Sequence, residues 1–312
     1  MNLLDVHREL NTEDKCLAFL ERMRWPDGVK CLGCNSDRVT RITSKGKTGK
    51  PRKLYQCNDC RFQFTATTGT VYHDTHLPLT KWFLAIALIT ESKKGISANQ
   101  LSRALRVQYR TAWYLAHRIR KAMVDADAPK LKGIVEVDET YIGGKQRGHR
   151  GKLKNKDVVV GVRERGGQLR FVQTPDNKAE SLYQVVADHV AKDAEAIMTD
   201  ENRAYNFELT QFRKVPHERI RHKDKIYVRG NVHTNTVESA FSLFKRGIVG
   251  AFHKVSLKHL QRYLNEFSFR FNNRKAPDLF GMTVARMAAV GAMPYTQLVE
   301  ENAFTPFVRR QK

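Results

Sequence analysis

The chain has 312 residues, 41% of them hydrophobic, with a formal charge of +23 and a pI near 10.0. That length allows two or three domains with at least one sizeable core, and the charge excess points to a polyanionic partner, nucleic acid first. No apolar run approaches the roughly 18 residues of a membrane span, and the opening MNLLDVHRELNTEDK has no signal-peptide core, so a cytosolic protein without a membrane partner is expected.

Along the chain, TEDKCLAFLERMR (12–24) predicts a short helix with Thr12 as its N-cap. Cys16 within it is expected to be a buried free thiol. Then come CLGC (31–34) and CNDC (57–60). Two such knuckles bring four thiolates, Cys31, Cys34, Cys57 and Cys60, into the tetrahedral arrangement that zinc accepts. The stretch between them is basic and rich in turn formers, which predicts a hairpin arm with little core. Structural Zn²⁺ must then supply much of the folding free energy of this ribbon.

Residues 78–123 read as helices. LTKWFLAIALITESKKG is strongly apolar and stops at Gly95; SANQLSRAL follows with Ser97 as N-cap. YRTAWYLAHRIRKAM repeats Ala112, Leu115, Ile119 and Ala122 at helical spacing, with Arg110, Arg118 and Lys121 assigned to the opposite face. Helix, tight turn and basic helix form a helix-turn-helix pattern, although a plain helical hairpin has the same pattern.

From Ile134 the period changes to two. IVEVDETYIGG is a strand, KDVVVGVRERGGQLRFVQTP a hairpin turning at Gly166-Gly167, KAESLYQVVADHV a helix and EAIMTD a strand. TVESAFSLFKRGI and VSLKHLQRYLNEFSFRFNNR are helical, the latter with a core stripe of Leu257, Leu260, Leu264, Phe267 and Phe271. The expected organisation is multidomain α+β. Residues 1–75 would hold an N-terminal helix and zinc ribbon, 76–130 the helix-turn-helix-like segment, 131–280 the α/β domain and 281–312 a helical tail.

A very basic chain that places Glu136, Asp138 and Glu139 in its most strand-like segment needs a reason for them. Asp200 closes the second acidic strand, and Glu238 falls in the first turn of a helix. Taken singly, each of the three is ordinarily a cap or a surface charge. Together, from two strands and a helix, Asp138, Asp200 and Glu238 can converge on one point. Converging carboxylates repel one another and lose solvation, and a divalent cation removes that penalty. Oxygen ligands select Mg²⁺ or Mn²⁺, and two such ions can hold the attacking and leaving oxygens of a phosphoryl displacement.

VEVDETYIGGK, MTDENRAY and HTNTVESAFSLFKRGIVGAFHKVSLKHLQRYLNEFSFRFNNR together resemble a bacterial insertion-sequence transposase of the DDE type, in the group with an N-terminal zinc ribbon. The resemblance spans about Cys31 to Arg274. It implies a ribonuclease H-like catalytic domain with Asp138, Asp200 and Glu238 as the metal-binding triad. The 37 residues between Asp200 and Glu238 suit that pattern, with Asn235 as a rival for the third position and Glu139 as the neighbour most easily mistaken for the first. It further implies that Lys245, with Arg246 beside it, contacts DNA phosphate. The partner would be double-stranded DNA, both element ends and target, bound by a homo-oligomer in the bacterial nucleoid.

Basic runs supply the expected grip. Residues 35–56 carry seven Lys/Arg against one acid; residues 143–156, with Lys145 and Arg147, carry six and none; RKVPHERIRHKDKIYVRG adds a third run. Such contacts are sequence-independent and salt-sensitive. Two other activities fit parts of this pattern. A DNA-binding regulator with a silent acidic site would bind without cutting, and a nuclease that only hydrolyses would not join ends. The intact triad weighs against the first, the ribbon and basic loops against the second.

Overall fold

The computed structural model describes residues 1–45, 51–125, 127–143, 156–200, 202, 204–205, 211–220 and 233–300. In chain order they form α1 (Leu3–Glu9), α2 (Glu13–Arg24), β1 (Val39–Lys45), β2 (Pro51–Cys57), β3 (Gln63–Phe64), α3 (Leu79–Glu91), α4 (Ala98–Leu105) and α5 (Tyr109–Ala122). Then follow β4 (Ile134–Gly143), β5 (Lys156–Glu164), β6 (Leu169–Thr174), α6 (Ala179–His189), β7 (Ala196–Thr199) and β8 (His217–Arg219). The last elements are α7 (Asn235–Gly247), α8 (Leu260–Asn272), α9 (Leu279–Ala289) and α10 (Tyr295–Glu300). The expected multidomain α+β fold is present, as two compact units: Met1–Ser92, Ala98–Met123 and Ala276–Leu298 make the first, and Lys93–Ser97, Val124–Lys275 and Val299–Lys312 the second. Among the described residues no helix is long and apolar enough to cross a membrane.

In the first unit, Thr12 caps α2 as its sequence predicts, accepting the Lys15 N–H. Helix α3 follows Pro78, which has no capping side chain, and Glu13 of α2 substitutes. Its carboxylate accepts the N–H groups of Leu79 and Thr80, both at 3.0 Å, so one acid joins two helices through orphan donors. Phe19, Phe83 and Phe280 close a ring triad at 5.7–5.8 Å between α2, α3 and α9. Cys16 is fully buried and free, and burial, helped by the charge of Glu13, pushes its thiol up to about 12. Strands β1, β2 and β3 form an antiparallel sheet in that order, with a small core of Trp25, Tyr55 and Phe64 over Cys31 and Cys57.

Helices α4 and α5 occupy the two segments that the sequence predicts to be helical. One residue departs from the predicted basic face. Arg118 is buried, donates to the carbonyls of Val71 and His73, and lies 4.8 Å over the Trp82 ring. The core-facing side of α5 is wider than its apolar stripe, because an arginine stem packs well once its guanidinium meets carbonyls and an aromatic face. Lys121 donates to the Ala292 carbonyl, and Arg110 is exposed.

The second unit is built on a five-stranded sheet ordered β6-β5-β4-β7-β8. β4 to β6 pair antiparallel, while β7 is parallel to both β4 and β8. Alternation sorts the side chains to two faces. Val135 and Val137 join Leu182, Val185 and Val186 of α6. Ile142, Val159 and Phe171 meet Phe241 and Phe244 of α7 and Leu264 and Phe267 of α8. Phe171 and Phe241 stack nearly parallel, 4.7 Å between centroids.

Candidate active site and metal centres

The four ribbon cysteines come together. All four sulfurs lie within 4.8 Å of one another, with Cys31 to Cys60 at 3.5 Å and Cys34 to Cys57 at 3.6 Å. Tetrahedral zinc at about 2.3 Å from each sulfur requires sulfur separations of about 3.8 Å, so the thiols fit that ion. The N–H groups of Cys60 and Asp59 hold the Cys57 thiol below its ordinary range, against the opposing effect of burial, which favours the thiolate that metal binding requires.

Asp138 of the central strand β4 and Asp200, just after the neighbouring strand β7, come together. The parallel register puts Ile134 beside Ala196 and Glu136 beside Met198; extended by two residues, it sets Asp138 against Asp200. Carboxylate oxygens of Asp138, Glu139 and Asp200 lie within 4.8 Å of one another. Burial and then the charges of Glu139, Asp200 and Glu238 raise the Asp138 carboxyl to about 8, opposed by the hydrogen bond it accepts from the Glu139 N–H. Such a crowd of hard oxygen donors fits a divalent cation, whose charge would remove the repulsion.

Glu238 arrives from α7. The helix can come this close because residue 161 of β5, the cross-strand partner of Asp138, is glycine. A Cβ there would stand 2.6 Å from Val237 Cγ2 and 2.7 Å from Phe241 Cζ. Thr234 donates to Glu238 Oε1 at 2.8 Å. Asp138 and Glu238 line one cavity of about 560 Å³ together with Lys245, Arg246 and Lys94. Glu238 and Lys245 lie on the same side of α7, as a spacing of almost two turns requires. Asn235 is exposed and does not line this cavity. Lys145 and Arg147 lie outside the described residues, as do residues 46–50, 221–230 and 301–312 of the expected basic runs and tail.

Two carboxylates have positions that sequence spacing did not reveal. Glu136 is completely buried. It accepts from Thr236 N at 2.9 Å, Thr236 Oγ1 at 2.7 Å, Val237 N at 3.1 Å and Arg165 Nε at 2.7 Å. It therefore satisfies the orphan donors at the start of α7 and favours them electrostatically. Arg165 also holds the His233 carbonyl at 2.8 Å. The signal was present in the strand: an acid between two core valines needs a buried partner. Glu139 accepts from Asn202 Nδ2 at 2.7 Å and Tyr205 Oη at 2.6 Å, so the loop after β7 is tied to β4 beside the carboxylate cluster.

Residues 130–272 match the family described as the ISXO2-like transposase domain, and residues 11–63 match the transposase zinc-ribbon domain. The chain is also 30% identical, over 275 residues, to an uncharacterized protein in transposable element ISH50 of Halobacterium salinarum; the match covers 83% of this chain and 90% of that protein. Ribbon, carboxylate cluster and a likeness that covers most of both chains agree, and the chain belongs to the insertion-sequence transposases that join a zinc ribbon to an ISXO2-like transposase domain.

Proposed function

We propose that this transposase cleaves DNA at the ends of its element and transfers the freed 3′-OH into target DNA, using Asp138, Asp200 and Glu238. The supporting observation is the shared cavity: Asp138, Glu238, Lys245 and Arg246 line it together, while Asp200 lies within 4.8 Å of Asp138. Asp138, Asp200 and Glu238 would hold the divalent ions, Mg²⁺ or Mn²⁺. When bound, these ions supply Lewis-acid polarisation of the phosphate and a more acidic water.

In the first step water oxygen bonds to phosphorus and the element's 3′-oxygen leaves, taking up a proton; a 3′-OH and a 5′-phosphate result. In the second that hydroxyl attacks a target phosphodiester, displaces its 3′-oxygen and loses its proton. Each step exchanges one P–O bond for another, so neither needs a covalent protein–DNA intermediate. Lys245 and Arg246 place positive charge where non-bridging phosphate oxygens would lie, and Arg246 offers a planar fork to two of them. Glu139, tied to Tyr205 and Asn202, sets the position of Asp200 by holding the loop that follows it. The partner is double-stranded DNA, with the four-cysteine ribbon and α4–α5 as the end-reading parts and a homo-oligomer joining two ends, in the cytoplasm at the nucleoid. Domain limits of 1–75, 76–130, 131–280 and 281–312 describe this division of work along the chain.

The test uses duplexes taken from the ends of the encoding element, Mg²⁺ and the zinc-loaded full-length protein. Asp200→Ala is expected to bind the end normally and to lose nicking and joining by about a thousandfold or more. Normal cleavage by that variant would remove the triad from the mechanism. Tight binding without chemistry by the unaltered protein would leave a DNA-binding regulator.

A further inference from the structure

We propose that Lys94 is a third phosphate-binding cation of the catalytic cavity, holding the DNA strand beside the bond to be cut. The proposal rests on the reading above and extends it to a residue from the link between α3 and α4, some forty residues before β4 in the chain. That link does not pack where its neighbours in sequence do. Lys93–Ser97 belongs to the catalytic unit, although α3 and α4 on either side belong to the first.

The clasp is built from backbone. Arg270 Nη1 of α8 donates to the Lys93 carbonyl at 3.1 Å, and Arg270 is itself paired with buried Glu266 at 3.1 Å. Helix α7 meets the Lys94 backbone at Gly247, where a Cβ would stand 2.8 Å from the Lys94 carbonyl oxygen. No larger residue permits that approach without displacement of the backbone. Gly95 lies against the Phe252 ring, which follows α7 after a π-turn at Ile248–Phe252.

The side chain, by contrast, is exposed and lines the cavity with Asp138, Glu238, Lys245 and Arg246. Among the described residues no carboxylate forms an ion pair with its ammonium. A lysine that neither pairs nor packs, on backbone fixed from three sides, contributes little to the fold. It presents a point charge at a set place with much of the ordering cost already met by the clasp. Divalent ions on the carboxylates would neutralise them and leave the three cations without a counter-charge. A phosphodiester is the anion this protein meets there.

The experiment measures affinity of the zinc-loaded full-length protein for a labelled element-end duplex as KCl is varied, without divalent ions. Lys94→Ala is expected to weaken binding and to lower the slope of log K against log[salt] by about 1, as for one lost phosphate contact. Lys94→Arg should restore the slope, and Lys192→Ala, on an exposed lysine elsewhere in the same unit, should leave it unchanged. A neutral methylphosphonate placed in turn near the cut site should weaken the unaltered protein at one position and have no further effect on Lys94→Ala there. Thermal midpoints and zinc content equal to those of the unaltered protein exclude a folding defect; if Lys94→Ala fails that check, Lys94→Gln takes its place. An unchanged slope for a folded variant, or additive losses at every methylphosphonate position, overturns the proposal. Activity of Asp200→Ala bears only on the catalytic reading, so the two can fail separately.

Discussion

The ribbon and the carboxylate cluster gather their candidate ligands by opposite routes. In the ribbon, four soft ligands come from two knuckles, with Cys34 and Cys57 only 23 positions apart, over a core of three aromatic rings. In the second unit the candidate hard ligands lie on β4, just after β7 and on α7, a hundred residues from first to last, on a sheet with cores on both faces. The ribbon has only its small core to hold it, so its ion would carry much of its folding free energy. The five-stranded sheet has its own apolar cores on both faces and holds its carboxylates together against their repulsion. Metal would be structural in the first case; in the second it would relieve a strain that the fold already contains.

Four measurements sharpen or break that contrast. The largest effect should follow Cys57→Ser or strong chelation of the full chain: zinc content falls to zero, and the lysines and arginines between the knuckles become rapid trypsin sites. The second unit keeps its secondary structure. Zinc binding in such sites is worth about 10–16 kcal/mol, so a ribbon that stays folded without zinc would end the comparison.

Next is Glu136→Ala. It leaves the first N–H groups of α7 and the Arg165 guanidinium without their acceptor, at a cost of about 3–5 kcal/mol for breaking a buried pair. Urea unfolding should register the loss, and Glu136→Gln, which keeps an acceptor, should recover part of it. A loss below about 1 kcal/mol would mean that α7 is held by Phe241 and Phe244 alone.

Asp138→Asn replaces a carboxyl raised to about 8, whose protonation costs the fold free energy near pH 7, with a side chain that is always neutral. In metal-free protein it should raise stability by on the order of 1 kcal/mol near pH 7, while abolishing cleavage. Added Mg²⁺ should raise the thermal midpoint of the unaltered protein and not of the variant. A lower metal-free midpoint for the variant would show that the carboxylates do not oppose one another.

The smallest effect belongs to His189, at the end of α6. Burial, with the charges of Arg170 and Lys130, lowers it to about 4. Its folded value lies below the ordinary 6.5, so the unfolded chain takes up the proton first. The stability it contributes is complete above about pH 6.5 and is lost as pH falls toward 4, at up to about 1.4 kcal/mol per pH unit. His189→Gln should flatten the denaturation profile in that window, and an unchanged slope would place His189 in solvent.

What the sequence could and could not show follows from range. The knuckles, the Thr12 cap, the strand alternation from Ile134 and the Gly166-Gly167 turn are local, and the fold contains each of them. Arg118 reads as a surface charge because periodicity sees a helix's own pattern and not the Trp82 face or the carbonyls that meet it. Glu136 and Glu139 read as neighbours of a site, yet their partners are Thr236 and Arg165 in one case and Asn202 and Tyr205 in the other.

The sequence by itself determined the ligand types, the zinc knuckles, the charge that calls for DNA and the three acids with their spacing. Hydrophobic period and thiolate chemistry act over a few residues. Tertiary structure alone decided that Gly161 lets α7 down onto the sheet beside Asp138 and that Glu136 anchors the start of that helix. It also decided that Lys94 leaves the helical unit's stretch of chain to line the cavity of Asp138 and Glu238. Close backbone approach and buried charge pairing depend on what the rest of the chain brings to the same place.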